Sequence, residues 1–342
     1  MAATMKQIAE LAGVSIGTVD RALKKKGRVA PEVADRICKI AEALNYKPNT
    51  VAKSLAIRNQ NLSIGVVIHV EKNTFYGEVI SGVEKAAAEI EDFGISVQIR
   101  YGSDFDPEIQ VQIIDSLLKE GVNALAIVPI NHPLVKDKLN YLHESGFPVI
   151  FLSAFIEEAH CLSYVGCNYH KSGIVAAGLL NLIAKQPSKI LALSPTFQML
   201  GHKQRMDSLK SYLTANYPKL VLTEVTELGL NRIHNYQTAM DALNRNPDID
   251  YVLCGSSATI LQAVEEFSAV HKNIKVIGFD DSEAMRREIG KGLVLATITQ
   301  NPAEQGYRAT MLLFNYLTTG LAPEQPNYYM ENQILFKESF ID

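Results

Sequence analysis

Between Ile64 and Thr299, eight short apolar runs alternate with longer stretches of helical periodicity. The runs are IGVVIHV at 64–70, VQIR at 97–100, ALAIVP at 124–129, VIFLS at 149–153, KILALS at 189–194, YVLCG at 251–255, KVIGF at 275–279 and LATIT at 295–299. Runs this short and this apolar are strands covered on both faces, and strands joined through helices lie parallel. The stretches between them supply the covers. Phe75 to Ile90 sets Val79, Ile80, Val83, Ala86, Ala87 and Ile90 on one face, and the stretch opened by Asp106 and Pro107 turns Val111, Ile114, Leu117 and Leu118 inward. Residues 61–342 are too many for one compact sheet, so the α/β pattern implies two similar lobes with parallel sheets. Charged residues in FIEEAHCL interrupt the alternation at Phe155 to Leu162. The lobes are therefore predicted at about 61–155 plus 302–328 and about 160–300 plus 329–342.

Ligands of open α/β sheets sit beyond the carboxyl ends of the strands. In this chain those positions hold Asn73, Phe75 and Tyr76, then Asp104, Asn131, Ser153, Asn168, Arg205, Ser256, Asp280, Asp281 and Gln300. Each has a plainer reading alone: Arg205 as a surface helix charge, Asp280 as a helix cap, Phe75 and Tyr76 as core filling. Their shared placement after strands makes them candidate binding residues as a set.

The amino-terminal segment is a different object. Met5 to Leu23, MKQIAELAGVSIGTVDRAL, reads as two short helices hinged at Gly13. Thr4 and Gln7 have capping-box spacing, Ile8, Leu11 and Ala12 form a predicted apolar stripe, and Ser15 is a good N-cap for the second helix. That helix turns Val19, Ala22 and Leu23 inward and leaves Ile16, Gly17, Thr18, Asp20 and Arg21 on an open face of a size suited to a DNA major groove. Pro31 opens a third helix carrying Val33, Ile37, Ile40, Ala41 and Leu44 on one face. Residues 1–60 carry +6, including Lys24, Lys25, Lys26 and Arg28, and the remainder carries −10, which together give the chain's −4. A basic head on an acidic body suits phosphate attraction, whereas a helical hairpin packed only on its own core needs no such asymmetry.

On IAELAGVSIGTVDRAL, AEALNYKPN at 41–49 and VAKSLA at 51–56, the chain resembles the lactose-repressor (LacI/GalR) family of bacterial transcription regulators. The resemblance implies that Ile16 and Gly17 read operator bases, that Ser15, Thr18 and Arg21 contact DNA, and that Leu55 wedges into the minor groove. Thr4, Arg28, Asn49, Val51 and Ala52 complete the candidate DNA contacts. It further implies a type I periplasmic-binding-protein-like body in which Phe75 and Tyr76 stack on a sugar ring while Arg205, Asp280 and Gln300 hold its hydroxyls. Two departures affect the operator: Gly17 has no side chain to read a base, and Asp20 stands in place of a small hydroxyl residue. A third affects the sugar, because Ser153 and Ala154 replace an Asp-Arg pair, which implies a larger, less hydroxylated, phosphorylated or otherwise modified ligand.

These readings divide the chain into a helix-turn-helix domain at 1–48, a hinge helix or linker at 49–60 and the effector domain at 61–342. A helix of some seven residues after Asn49 is too short to stand alone, since isolated helices need roughly 12–15 residues. It reads as an ordinary linker by itself and as a segment that folds on DNA in the light of the resemblance. The expected partners are a pseudo-palindromic duplex operator, a sugar or sugar-derivative effector and a second copy in a homodimer. ILFKESFID at the carboxyl end has no heptads for tetramer formation. No G-x-S-x-G, P-loop, H-E-x-x-H or G-x-G-x-x-G motif is present, so neither an enzyme nor a cofactor is expected. Cys38, Cys161, Cys167 and Cys254 lack metal spacing and read as reduced core residues; His132, His143 and His160 read as isolated and solvent-facing. No apolar stretch approaches a membrane span, and a cytoplasmic location is expected. The competing class is a sugar receptor with no role in gene control.

Overall fold

The computed structural model describes residues 4–341 except 24–28, 45, 47–57, 59, 71–73, 104, 230–231 and 272–273. The chain divides into two units, Met1–Ala56 and Ile57–Asp342.

The first unit holds α1 (Met5–Ala12), α2 (Ile16–Leu23) and α3 (Pro31–Ala43). The Thr4–Gln7 capping box is formed, and Gly13 ends α1 in the left-handed conformation at φ 64°. Ile8, Ala9, Ala12, Val19, Ala22, Ile37 and Ala41 make a small core. Leu11, expected in the α1 stripe, is 64% exposed. Its direction lies about 100° around the helix from the centre of the Ile8, Ala9 and Ala12 face.

The second unit has two six-stranded sheets. In the first lobe β1 (Ser63–Ile68), β2 (Ser96–Tyr101), β3 (Ala124–Ile127), β4 (Val149–Leu152), β5 (Ser163–Cys167) and β11 (Asn327–Met330) lie in the order β11-β5-β4-β3-β1-β2, all parallel. In the second, β6 (Ser188–Ser194), β7 (Leu220–Glu227), β8 (Tyr251–Gly255), β9 (Lys275–Phe279), β10 (Val294–Thr299) and β12 (Gln333–Leu335) lie in the order β12-β10-β9-β8-β6-β7, with only β12 antiparallel. Strands β1 to β5 and β6 to β10 thus repeat one winding.

Helices cover both faces of each sheet. Ile64, Val66 and Ile68 meet α4 (Thr74–Glu91) and α12 (Pro302–Thr319), while Val67, Leu125 and Ile127 meet α5 (Pro107–Lys119) and α6 (Pro133–Glu144). In the second lobe Ile190, Ala192 and Leu253 meet α7 (Tyr169–Ile183) and α8 (Leu200–Asn216). Leu191, Leu193 and Val252 meet α9 (Arg232–Arg245), α10 (Ala258–Val270) and α11 (Glu283–Lys291) on the other face. Each such valine, leucine or isoleucine contributes roughly 1.5–3 kcal/mol relative to an exposed one. Gly82 and Gly306 let α4 and α12 touch backbone to backbone; a Cβ on Gly82 would strike the Ala303 carbonyl.

The break between the lobes differs from the expectation. SYVGC is too short and mixed to read as a strand, yet as β5 it is buried between β4 and β11, so the chain leaves the first lobe at Asn168 rather than near 155–160. The returns follow β10 and β11, the latter ending at Met330, two residues beyond the expected boundary. Cys167 and Cys254 are buried and free as expected, but Cys38 is exposed on α3. His132 caps α6 through Leu134 N, and His143 and His160 are stacked with centroids 5.1 Å apart, exposed but not isolated.

Candidate functional site

In the first unit, Ser15 Oγ accepts from Thr18 N at 3.1 Å, which starts α2 and fixes the turn after Gly13. Val19 and Ala22 are buried; Ser15, Ile16, Gly17 and Arg21 are exposed. Arg21 Nε donates to Gly17 O at 3.0 Å, so the guanidinium lies along its own helix. The exposed Ile16 is an apolar side chain that the small core does not use. Arg28, Asn49, Val51, Ala52 and Leu55 lie outside the described residues, as do Asn73 and Asp104 of the second unit.

In the second unit the candidate site lies at the carboxyl ends of the strands. Arg205, one turn into α8, is 3% exposed. Its guanidinium lies over the Phe279 ring at 4.3 Å and over the Tyr169 ring at 4.9 Å, with Nε lacking a partner. Planar guanidinium between aromatic faces is geometry that lysine cannot reproduce. Asp280 follows β9 with φ 66°, its amide held by Ile298 O at 2.9 Å and its carbonyl by Thr297 Oγ1 at 2.6 Å. Gln300 Nε2 donates to Asp280 Oδ1 at 2.8 Å, leaving Gln300 Oε1 buried without a partner. Burial pushes the Asp280 carboxyl up, against the opposing pull of Arg205 and the Gln300 hydrogen bond.

Tyr76 is buried at the start of α4, with Phe75 edge-on at 5.1 Å. Burial pushes its hydroxyl well above the usual phenol range, and the nearby Tyr169 and Asp280 of the second lobe act in the same direction. Phe75, Tyr76, Arg205, Asp280 and Gln300 are therefore gathered at the interlobe cleft. Four other expected residues are arranged differently. Ser153, at the position in the first lobe that Asp280 holds in the second, also has positive φ, 60°, but its hydroxyl donates to Gln305. Asn168 caps α7 by accepting from Lys171 N at 2.9 Å. Ser256 offers its carbonyl to Ser282 Oγ at 3.0 Å, and Asn131 is exposed.

Residues that sequence reasoning passed over complete the cleft. His69 ends the run read as strand to Val70; the strand in fact stops at Ile68, so His69 occupies the strand-end position. His202 precedes Arg205 by one helical turn, a spacing that could have marked it. Glu78 on α4 feels Asp281, Arg286 and Asp280 across the cleft, and burial with Asp281 pushes its carboxyl up. Arg286 clasps Asp281 with Nε at 2.9 Å and Nη2 at 2.6 Å. Among the described residues no group of three or more His, Cys, Asp or Glu side chains could hold a metal ion, and no helix is long and apolar enough to cross a membrane.

Residues 4–49 match the bacterial regulatory proteins of the lacI family, and residues 64–321 match the periplasmic binding protein domain. The chain belongs to the lacI family. Its relatives include the HTH-type transcriptional regulator RegA of Clostridium saccharobutylicum, 25% identical with the whole of both chains covered. Another is the HTH-type transcriptional regulator IdnR of Escherichia coli, 24% identical over 91% of each. The crystal structure of a putative LacI transcriptional regulator from Bacteroides fragilis shares the fold with a TM-score of 0.73. That chain is 21% identical, and the likeness covers 81% of this lacI-family chain and 98% of that one. Both curated relatives are transcriptional regulators.

Proposed function

We propose that this lacI-family chain is a transcriptional repressor whose hold on duplex DNA is switched by a sugar or sugar derivative bound between the two lobes. One observation carries the reading: the chain that presents Ile16 and Arg21 on a capped helix pair also buries Arg205 between two rings, beside the Asp280–Gln300 pair. A guanidinium gives paired hydrogen bonds, a carboxylate accepts two, and an aromatic face covers the C–H side of a sugar. The protein acts in the cytoplasm as a homodimer on a pseudo-palindromic operator. Sugar shifts the lobes of the dimer and, through residues 49–60, the two heads. It does so only by binding one state better than the other, and that inequality decides whether it induces or co-represses.

The test is selection of duplexes from a random pool by the full chain at low ionic strength, followed by affinity measurement across a salt series. A steep loss of affinity with salt and a selected sequence with two-fold symmetry are expected. A receptor without gene control would retain no duplex.

A further inference from the structure

His69 and His202 belong to different lobes, and nothing described above uses them. His69 is 2% exposed at the carboxyl end of β1. Tyr76 lies edge-on to it at 4.9 Å and Phe105 tilted at 4.3 Å, and its Nδ1 has no partner. A buried nitrogen enclosed by two rings and hydrogen-bonded to nothing is the kind of group that a bound molecule completes. His202 Nδ1 lies 3.1 Å from Thr196 O, so Nδ1 carries the proton and Nε2 is left as an acceptor. The Thr196 turn is itself pinned, since Thr196 Oγ1 and Phe197 N both donate to Glu227 Oε1, at 3.1 and 2.6 Å. The tautomer is thereby built into the fold. The two imidazoles are close enough across the cleft for the charge of one to disfavour the charge of the other.

We propose that His69 and His202, one from each lobe, hydrogen-bond an uncharged polyhydroxylated ring in the cleft and turn the site against sugar acids and sugar phosphates. The assignment rests on the cleft being the effector site and adds two residues and a charge class to it. The charges around the cleft support the class. Asp280 faces Arg205, Asp281 is clasped by Arg286, and Glu78 adds a further carboxylate. Burial holds His69 down to about 3, and burial with the Arg205 charge holds His202 down to about 4, so neither imidazole is a cation near neutral pH. An anionic sugar would bring a charge that the described residues leave unbalanced, whereas a hydroxyl meets an imidazole nitrogen on either side.

The test is calorimetric titration of the full chain with D-glucose, D-galactose, D-xylose, D-arabinose and D-tagatose, beside D-gluconate, D-galactonate and D-glucose 6-phosphate. At least one neutral sugar is expected to bind, with every charged member at least tenfold weaker. His69→Leu and His202→Leu are each expected to weaken that sugar tenfold or more, while His69→Asn and His202→Asn, which keep a polar partner, recover part of the loss. Circular dichroism melting confirms that each variant is folded. Leucine variants within twofold of wild type, or tighter binding of a charged member, would overturn the assignment while leaving the carbohydrate reading intact. If no member binds a chain that still retains duplex DNA, the carbohydrate reading falls and the histidine assignment falls with it.

Discussion

Ser153 Oγ donates to Gln305 Oε1 at 2.6 Å, and the same glutamine donates through Nε2 to Gln300 O at 2.9 Å. Gln305 is fully buried and starts α12, Ser153 ends β4 of the first lobe, and Gln300 follows β10 of the second. One side chain therefore ties the strand ends of both lobes at the point where the chain crosses back, next to the Gln300–Asp280 pair.

Replacing Gln305 with Ala strands a buried hydroxyl and a buried carbonyl. Each unmade hydrogen bond costs about 1–3 kcal/mol. With two such groups left unpaired, urea unfolding of the Gln305→Ala chain should show a loss of about 2–6 kcal/mol; an unchanged midpoint would mean that the tie carries no energy.

Acid should weaken the second unit through His69 and His202. Both have folded values below the ordinary 6.5, so the native state takes up fewer protons than the unfolded chain. Their stabilising contribution is complete above pH 6.5. It is lost as the pH falls towards about 4 for His202 and about 3 for His69, at up to about 1.4 kcal/mol per pH unit for each. Melting temperatures between pH 7 and 4 should fall less steeply for His69→Leu than for wild type; parallel curves would contradict the buried, neutral state of His69.

Gly13 has φ 64° and open space around the position of a Cβ. Any cost of a side chain there is backbone strain, roughly 1–2 kcal/mol for Ala and less for Asn, which tolerates this conformation. Affinity for a selected duplex should fall in the order Gly13, Asn, Ala. Equal affinities would show that the turn geometry does not control the helix pair.

Much of this architecture was legible because strand and helix periodicities leave different marks. YVLCG and KVIGF are β8 and β9 residue for residue, and α5 starts at Pro107 as read, with Asp106 found to be its N-cap. The failures have physical causes. β5 mixes Ser, Tyr and Gly and takes its burial from β4 and β11, which are distant in sequence. β7 alternates exposed and half-buried residues at a sheet edge, so no apolar run announces it. At the cleft, placement after strands made Arg205, Asp280 and Gln300 candidates. It could not show that Ser153 is committed to Gln305, because that partner lies 152 positions away. His69 was lost to a strand end misjudged by two residues.

Arg205→Lys keeps the charge but loses the planar stack on Phe279 and Tyr169. A neutral sugar that raises the melting temperature of wild type should raise that of Arg205→Lys far less, with at least a tenfold loss of affinity. A full thermal shift in the lysine variant would remove Arg205 from the site.

The central claim, that one cleft controls one DNA-binding head, is tested most directly by a single ratio: affinity of the full chain for its selected duplex with and without a sugar that binds it. The account predicts a change of tenfold or more in wild type and a ratio of one in Arg205→Ala. A ratio of one in wild type at saturating sugar would contradict it.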